Sequence, residues 1–422
     1  MNPSRVYAHL SLALVLAGCA RAIAPALPPV IPTVAVAHQS KVGHVVIIVQ
    51  ENRTPDNLFH NLPGADTVAP VALSPVSLTA PYDLGHSHQS FLSDESAGGY
   101  QSQSLGYVPQ SQVQPYFDMA ERYTFADRMF QTNEGPSFPA HQYIVSGTST
   151  TAPGSALRIA ENPRGNGVTG PIHAGGCDSP TSVGVRLIDE TGNEGPPIWP
   201  CFDRPTLTDL IDARGLTWRY YQAFSGSGLW NALDAIEHIR YSAEYKTNVV
   251  YPSSRVLTDI QNGRLANVTW VTPTSAASDH AHTTDGTGPA WVASIVNAIG
   301  TSGYWNNTVI FVTWDDWGGW YDHVKPHRYN SYELGFRVPL LVISPYAKRG
   351  YVSHRQHEFG SLLKFTEATF QLGSLGTTDV RADDLSDCFD FEQTPSKFRR
   401  IQAPESAQYF LTHNDVGAPD DD

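Results

Sequence analysis

Two pairs of oxygen-bearing side chains each stand directly behind a short apolar run. Glu51-Asn52 follows the run His44–Gln50, and Asp315-Asp316 follows Thr308–Trp314. Three carboxylates and one amide carbonyl form a hard, oxygen-rich donor set suited to one divalent cation such as Ca²⁺, Mg²⁺ or Mn²⁺. A third feature is Ser137, behind Gly135-Pro136 and at the start of a helical pattern. A serine there lies in the positive field of a helix N-terminus, where an anion such as phosphate is favoured, and a metal on its oxygen would make it a nucleophile. Each piece also has a purely local reading. Asp315-Asp316 can be a solvated turn, Asn52 can cap a helix begun by Pro55, and Ser137 can be an N-cap.

What would bring these residues together is a sheet. The runs His44–Gln50, 268–272, Thr308–Trp314 and 338–344 are too short for helices and rich in Val and Ile, which predicts interior strands. Between them, apolar residues recur at helical spacing over 114–123, 207–214, 290–299 and 359–372. Strands alternating with helices predict an α/β fold, a central mainly parallel sheet flanked by helices. Parallel strands end on one side of their sheet, so Glu51, Asn52, Asp315 and Asp316 converge in such a fold despite their separation in sequence. The stretch 148–205 is rich in Gly, Pro, Asn and Thr and reads as a loop-rich insertion over the sheet.

The chain of 422 residues carries 27 basic and 41 acidic residues, a formal charge of −14, with no cluster of Lys and Arg. That balance excludes nucleic acid as an expected partner, because phosphate backbones demand clustered cations. The N-terminus has a polar start with Arg5, an apolar stretch from Leu10 to Leu16 and then Ala17-Gly18-Cys19, which reads as a signal peptide over 1–19. Leu16-Ala17-Gly18-Cys19 resembles the lipobox of bacterial lipoproteins, so a lipid anchor on Cys19 is the expected membrane contact, with a plain secretory signal as the alternative. A Pro-rich tether over 20–42, a catalytic domain over 43–400 and a tail over 401–422 complete the expected organisation, and the expected location is the cell envelope or periplasm, or outside the cell. In such an oxidising compartment Cys177 and Cys201, which share the insertion, are the easiest disulfide to draw, with Cys388 left over.

Five motifs in order carry a more specific likeness: Glu51-Asn52-Arg53-Thr54, Gly135-Pro136-Ser137-x-Pro139, Ser278-Asp279-His280, Gly288-Pro289-x-Trp291-Val292 and Asp315-Asp316-x-Gly318-Gly319-x-Tyr321-Asp322-His323-Val324. Together they resemble the phosphoesterase family of bacterial acid phosphatases and non-specific phospholipases C. The resemblance implies an alkaline-phosphatase-like α/β sandwich with one metal held by Glu51, Asn52, Asp315, Asp316 and the nucleophile. The nucleophile maps onto Ser137, where phospholipase C members usually carry threonine and acid phosphatases serine. It further implies that His86 and His280 contact the phosphoryl oxygens and protonate the leaving group, with His88 and His282 as neighbours easily confused with them. His323 is expected either to touch substrate or to support the metal loop. Pro55 and Ala281 depart from the family pattern without removing any of these groups.

The implied activity is hydrolysis of a phosphoric ester through a phosphoserine, acid phosphatase-like, with phospholipase C-type diester cleavage as the alternative. A sulfatase would want an arginine that Ser137-Phe138-Pro139-Ala140-His141 lacks. The non-enzymatic rival is an inactive lipid-anchored protein that binds phosphate or lipid, and retention of Ser137 with all the candidate ligands argues against it.

Overall fold

His44–Gln50 (β1) is buried along six of its seven residues, as a strand covered on both faces must be. The computed structural model describes Met1 and residues 41–96, 99–165, 175–225 and 228–414. The signal-like segment, Cys19 and nearly all of the tether lie outside these residues. Seven further strands join β1 in one sheet: Thr124–Ala126 (β2), Trp218–Tyr221 (β3), Val249–Val250 (β4), Val268–Val271 (β5), Thr308–Trp314 (β6), Leu340–Ile343 (β7) and Tyr351–Ser353 (β8). Their spatial order is β4-β3-β5-β1-β6-β7-β2-β8. All run the same way except β7, which lies antiparallel between β6 and β2. The sheet is therefore mainly parallel, and the exception is the run at 338–344. Its reversal brings Arg337, immediately before that run, to the edge where the other strands end.

Helices cover both faces. Side chains alternate along a strand, so Phe311 and Trp314 point to opposite sides of the sheet. Phe311 packs edge-on against Phe365 of the helix Phe359–Phe370, while Trp314 packs against Tyr116 of the helix Gln114–Arg122. The helix Gly288–Gly300 lies with Gln114–Arg122, and the helix Ser137–Ser146 lies with Phe359–Phe370. No helix among the described residues is long and apolar enough to cross a membrane.

The insertion contains short antiparallel pairs, Arg158–Ile159 with Leu187–Ile188 and Arg164–Gly165 with Val183–Gly184. Cys177 and Cys201, 24 residues apart, are bonded, and Cys388 is free and buried. A satellite core of Phe138, Ile159, Val185, Leu187, Phe202, Leu229, Trp230 and Ala235 fastens the insertion to the helix Ser137–Ser146.

At the edge where the strands end, Arg337 is fully buried and joins several segments. It donates from Nε to Asp322 at 2.9 Å, from Nη1 to the Asp66 and Asp127 carbonyls at 2.8 Å each, and from Nη2 to Asp56 at 3.3 Å. His323 closes the same network, with Nδ1 2.7 Å from Asp56 Oδ2 and Nε2 2.9 Å from Asp66 Oδ1. Two carboxylates on two ring nitrogens call for the doubly protonated ring, and the hydrogen bond to Asp56 raises the His323 pKa. Because the folded pKa lies above the unfolded one, this stabilisation is complete below about pH 6.5 and is lost as pH rises through the folded value. His323→Gln is expected to lose about 2 kcal/mol at pH 5.5, with the gap to wild type narrowing toward pH 8.5, as read by chemical denaturation across that range.

Candidate active site

Gln50 and Trp314 are register partners at the ends of β1 and β6, so the next residues, Glu51 and Asp315, emerge side by side. The Asp315 N–H donates to the Gln50 carbonyl at 3.0 Å, which extends the ladder one step past the strands. Asn52 then turns into the left-handed region at φ 62, a conformation asparagine tolerates, and its N–H donates to Asp315 Oδ1 at 3.0 Å. The Asp316 N–H donates to the same oxygen at 2.8 Å. The glycines that follow are there for space. A Cβ on Gly318, itself at φ 60, would stand 2.4 Å from the Asn52 carbonyl, and one on Gly319 would stand 2.5 Å from Leu84 Cβ. The Gly-Gly step thus lets both the Asn52 turn and the loop leading to His86 close over the carboxylates.

Ser137 is the first residue of a helix whose ten residues are all buried, and its hydroxyl does not cap that helix. Instead Oγ donates to Asp316 Oδ2 at 3.2 Å, while Asp316 Oδ1 accepts the Gly318 N–H at 2.7 Å. The insertion supplies the missing cap, since Asn162 Oδ1 accepts the Phe138 N–H at 2.9 Å. The N-cap reading of Ser137 and the solvated-turn reading of Asp315-Asp316 are both set aside by this geometry. Asn52 does not cap the helix begun by Pro55 either; Thr54 does, accepting the Asn57 N–H at 3.1 Å.

Two histidines border the group. His86 Nδ1 donates to the Leu84 carbonyl at 2.8 Å, and Asn52 Nδ2 donates to His86 Nε2 at 3.2 Å. His280 Nδ1 donates to the Ala281 carbonyl at 2.7 Å, and the two imidazoles lie 5.8 Å apart between centroids. Buried Arg53 holds the His280 loop, donating from Nη2 to the Asp279 carbonyl at 2.6 Å and to the Leu78 carbonyl at 2.9 Å. Burial pulls its pKa down to about 10, which leaves it charged. The Asp279 carboxylate accepts from Tyr116 at 2.6 Å and from the Trp314 indole at 3.1 Å, which ties the loop back to the core. His88 holds the Glu134 carbonyl at 2.6 Å, and His282 extends the Asp279 loop, its N–H on the Ala80 carbonyl at 2.7 Å. His323 stands apart, with both nitrogens committed to Asp56 and Asp66 in the Arg337 network, so it reinforces the loop rather than facing Ser137.

Glu51, Asp315 and Asp316 are fully buried, and among the described residues no lysine or arginine pairs with them. Burial first, and then the Asp315 charge, raises the pKa of Glu51 and Asp316 well above the carboxylate range. Both Glu51 oxygens, Asn52 Oδ1 and Asp315 Oδ2 have no hydrogen-bond partner among the described residues. Buried acceptors without partners are rare, and four in one place fit a divalent ion bound among them. One neighbour was not anticipated: His141 Nε2 lies 3.3 Å from Glu51 Oε1 and 3.8 Å from Asp315 Oδ2. Burial lowers its pKa to about 4. Its position four residues after Ser137, on the same helix face, is the sequence signal that could have found it.

The sequence pattern described as the phosphoesterase family matches residues 42–373. The chain is 23% identical to the non-hemolytic phospholipase C of Burkholderia pseudomallei, over 78% of this chain and 55% of that protein. It is also 23% identical to phospholipase C A of Mycobacterium tuberculosis, over 86% of this chain and 80% of that one. The chain thus spans little more than half the length of the Burkholderia relative. A solved structure of a Vibrio parahaemolyticus protein in the alkaline phosphatase superfamily aligns over 82% of this chain and 71% of that chain, with 11% identity and a TM-score of 0.41.

If the Gly-Gly step seats Asn52 over the carboxylates, Gly318→Ala will destabilise the fold by more than about 1 kcal/mol and weaken divalent-ion binding. Gly303→Ala, which meets nothing within 4 Å, will do neither. Calorimetric titration of each purified variant with Mn²⁺, beside its thermal unfolding, checks both.

Proposed function

The chain belongs to the phosphoesterase family, and from that premise we propose that it hydrolyses phosphoric esters through Ser137, with the monoester preference of an acid phosphatase. The observation that carries this reading is the Ser137 hydroxyl, turned away from its own helix and held on Asp316 beside Glu51 and Asp315. Glu51, Asn52, Ser137, Asp315 and Asp316 would hold one divalent ion, which when bound lowers the pKa of a serine hydroxyl and neutralises negative charge.

The chain's own residues account for the remaining steps. Asp316 holds the hydroxyl proton and aims Oγ, which attacks phosphorus as the bond to the leaving oxygen breaks. The N-terminal end of the helix Ser137–Ser146 favours the phosphoryl negative charge. His280 faces the equatorial oxygens, and His86 joins it once protonated at Nε2, giving up the hydrogen bond from Asn52. Since Nδ1 of His280 is tied to a carbonyl, only its Nε2 is placed to exchange a proton, and it delivers one to the departing oxygen. His280, left neutral by that transfer, takes a proton from the water that attacks the phosphoserine, and Asp316 returns the hydroxyl proton to Ser137 as phosphate leaves.

Ser137, His86 and His280 are each at most 2% exposed, and so narrow an approach suits a compact monoester. The second reading, cleavage of a phosphodiester to release a phosphorylated head group, is favoured by the relatives named phospholipase C. The Cys177–Cys201 bond accords with an exported protein.

The test compares p-nitrophenyl phosphate with p-nitrophenylphosphorylcholine, with and without chelator. The expected result is a chelator-sensitive preference for the monoester, abolished to about a thousandfold or more by Ser137→Ala. Diester preference would select the second reading, and substantial turnover by Ser137→Ala would remove the nucleophile assignment.

A further inference from the structure

His141 lies one helical turn beyond Ser137, so both side chains project from the same face of the helix Ser137–Ser146 toward the same carboxylates. It is 1% exposed, and among the described residues neither ring nitrogen has a hydrogen-bond partner. This differs from the other histidines of the region. His86, His88 and His280 each spend Nδ1 on a backbone carbonyl. An imidazole sealed from water with no partner on either nitrogen loses the hydrogen bonds it would have in solvent.

Nor is His141 simply an ion-pair partner of Glu51. Nε2 stands 3.3 Å from Glu51 Oε1, yet the two atoms do not meet as donor and acceptor, and neither has a hydrogen-bond partner among the described residues. The same nitrogen is 3.8 Å from Asp315 Oδ2, which also has no hydrogen-bond partner among the described residues. One donor atom from each of Glu51, His141 and Asp315 lies within 4.8 Å of the others, a spacing at which all three can ligate one ion.

We propose that His141 contributes a nitrogen ligand to the divalent ion held by Glu51, Asn52, Ser137, Asp315 and Asp316, and that this nitrogen selects a transition ion over Mg²⁺ and Ca²⁺. The inference rests on the metal reading above and deepens it. Mg²⁺ and Ca²⁺ take oxygen donors almost exclusively, whereas imidazole binds Mn²⁺, Fe²⁺, Co²⁺ and Zn²⁺ with affinities that follow their Lewis acidity. A purely oxygen site would leave the choice to ion abundance. Adding a buried imidazole shifts it toward the transition series while the carboxylates supply the charge.

The experiment has two arms, neither of which reads activity. The full protein is first equilibrated with Mn²⁺ and a large excess of Mg²⁺, and the bound ions are counted by elemental mass spectrometry for wild type, His141→Ala and His141→Asn. The Mn²⁺-loaded proteins are then examined by pulsed electron paramagnetic resonance for coupling to ligand ¹⁴N. Wild type is expected to retain Mn²⁺ and show nitrogen coupling. Both variants should lose the coupling and shift their preference toward Mg²⁺ by at least the roughly tenfold that loss of a supporting residue costs a metal site. Nitrogen coupling that persists in a folded variant, or an unchanged ion preference, overturns the assignment while leaving the metal reading intact. Should neither variant fold, wild type alone decides: Mn²⁺ bound without nitrogen coupling overturns the assignment. A wild-type protein that binds no divalent ion overturns the metal reading, and His141 as a ligand falls with it.

Discussion

Three carboxylates buried at the ends of two neighbouring strands are the constraint around which this molecule is organised. Glu51 and Asp315 leave β1 and β6 side by side, Asp316 follows at once, and none of the three has an arginine or lysine partner among the described residues. Two like charges about 4 Å apart repel by about 4 kcal/mol at an effective dielectric of about 20. Each unpaired buried ion costs several kcal/mol more in lost hydration. Such a cluster holds its charge only when a cation joins it, and otherwise takes up protons, as the raised pKa values of Glu51 and Asp316 indicate.

The rest of the structure keeps that cluster in place and opens one side of it to chemistry. Backbone N–H groups occupy Asp315 Oδ1 and Asp316 Oδ1, which fixes both carboxylates and leaves Asp316 Oδ2 for Ser137. Arg53 and Asp279 brace the loop of His280 from beneath, and Arg337 with His323 braces the loop that follows the two glycines. The insertion does more than decorate the sheet, because its Asn162 caps the helix that presents Ser137. The cationic side chains of the region are thus spent on backbone carbonyls and on a separate carboxylate group. They leave the charge of the central cluster to be met by an ion.

Much of this could be read from sequence because strong local patterns decide it. β1 and β6 have the predicted bounds, since seven-residue runs with five apolar residues each, followed by acids, permit little else. The convergence of Glu51, Asn52, Asp315 and Asp316 followed from parallel strands alone. Thr124–Ala126 and Tyr351–Ser353 were not legible, because three residues carry no period and their pairing is set by neighbours in the sheet. The reversal of Leu340–Ile343 was hidden for a related reason: a buried strand reads the same in either direction. His323 sits close to Asp316 in sequence, but the Gly318-Gly319 turn carries it away to Asp56 and Asp66. His141 was not legible from residue type alone, since a histidine inside a buried helix reads as core, although helical spacing sets it beside Ser137.

The central claim, that the buried carboxylates require a divalent cation, is tested most directly by thermal unfolding of chelator-treated protein before and after Mn²⁺ is restored. An ion bound only by the folded chain stabilises it in proportion to the logarithm of its concentration over Kd. The account predicts a Tm that rises by several degrees on restoration and keeps rising with added ion. A metal-free protein whose Tm does not respond to any divalent cation would contradict it.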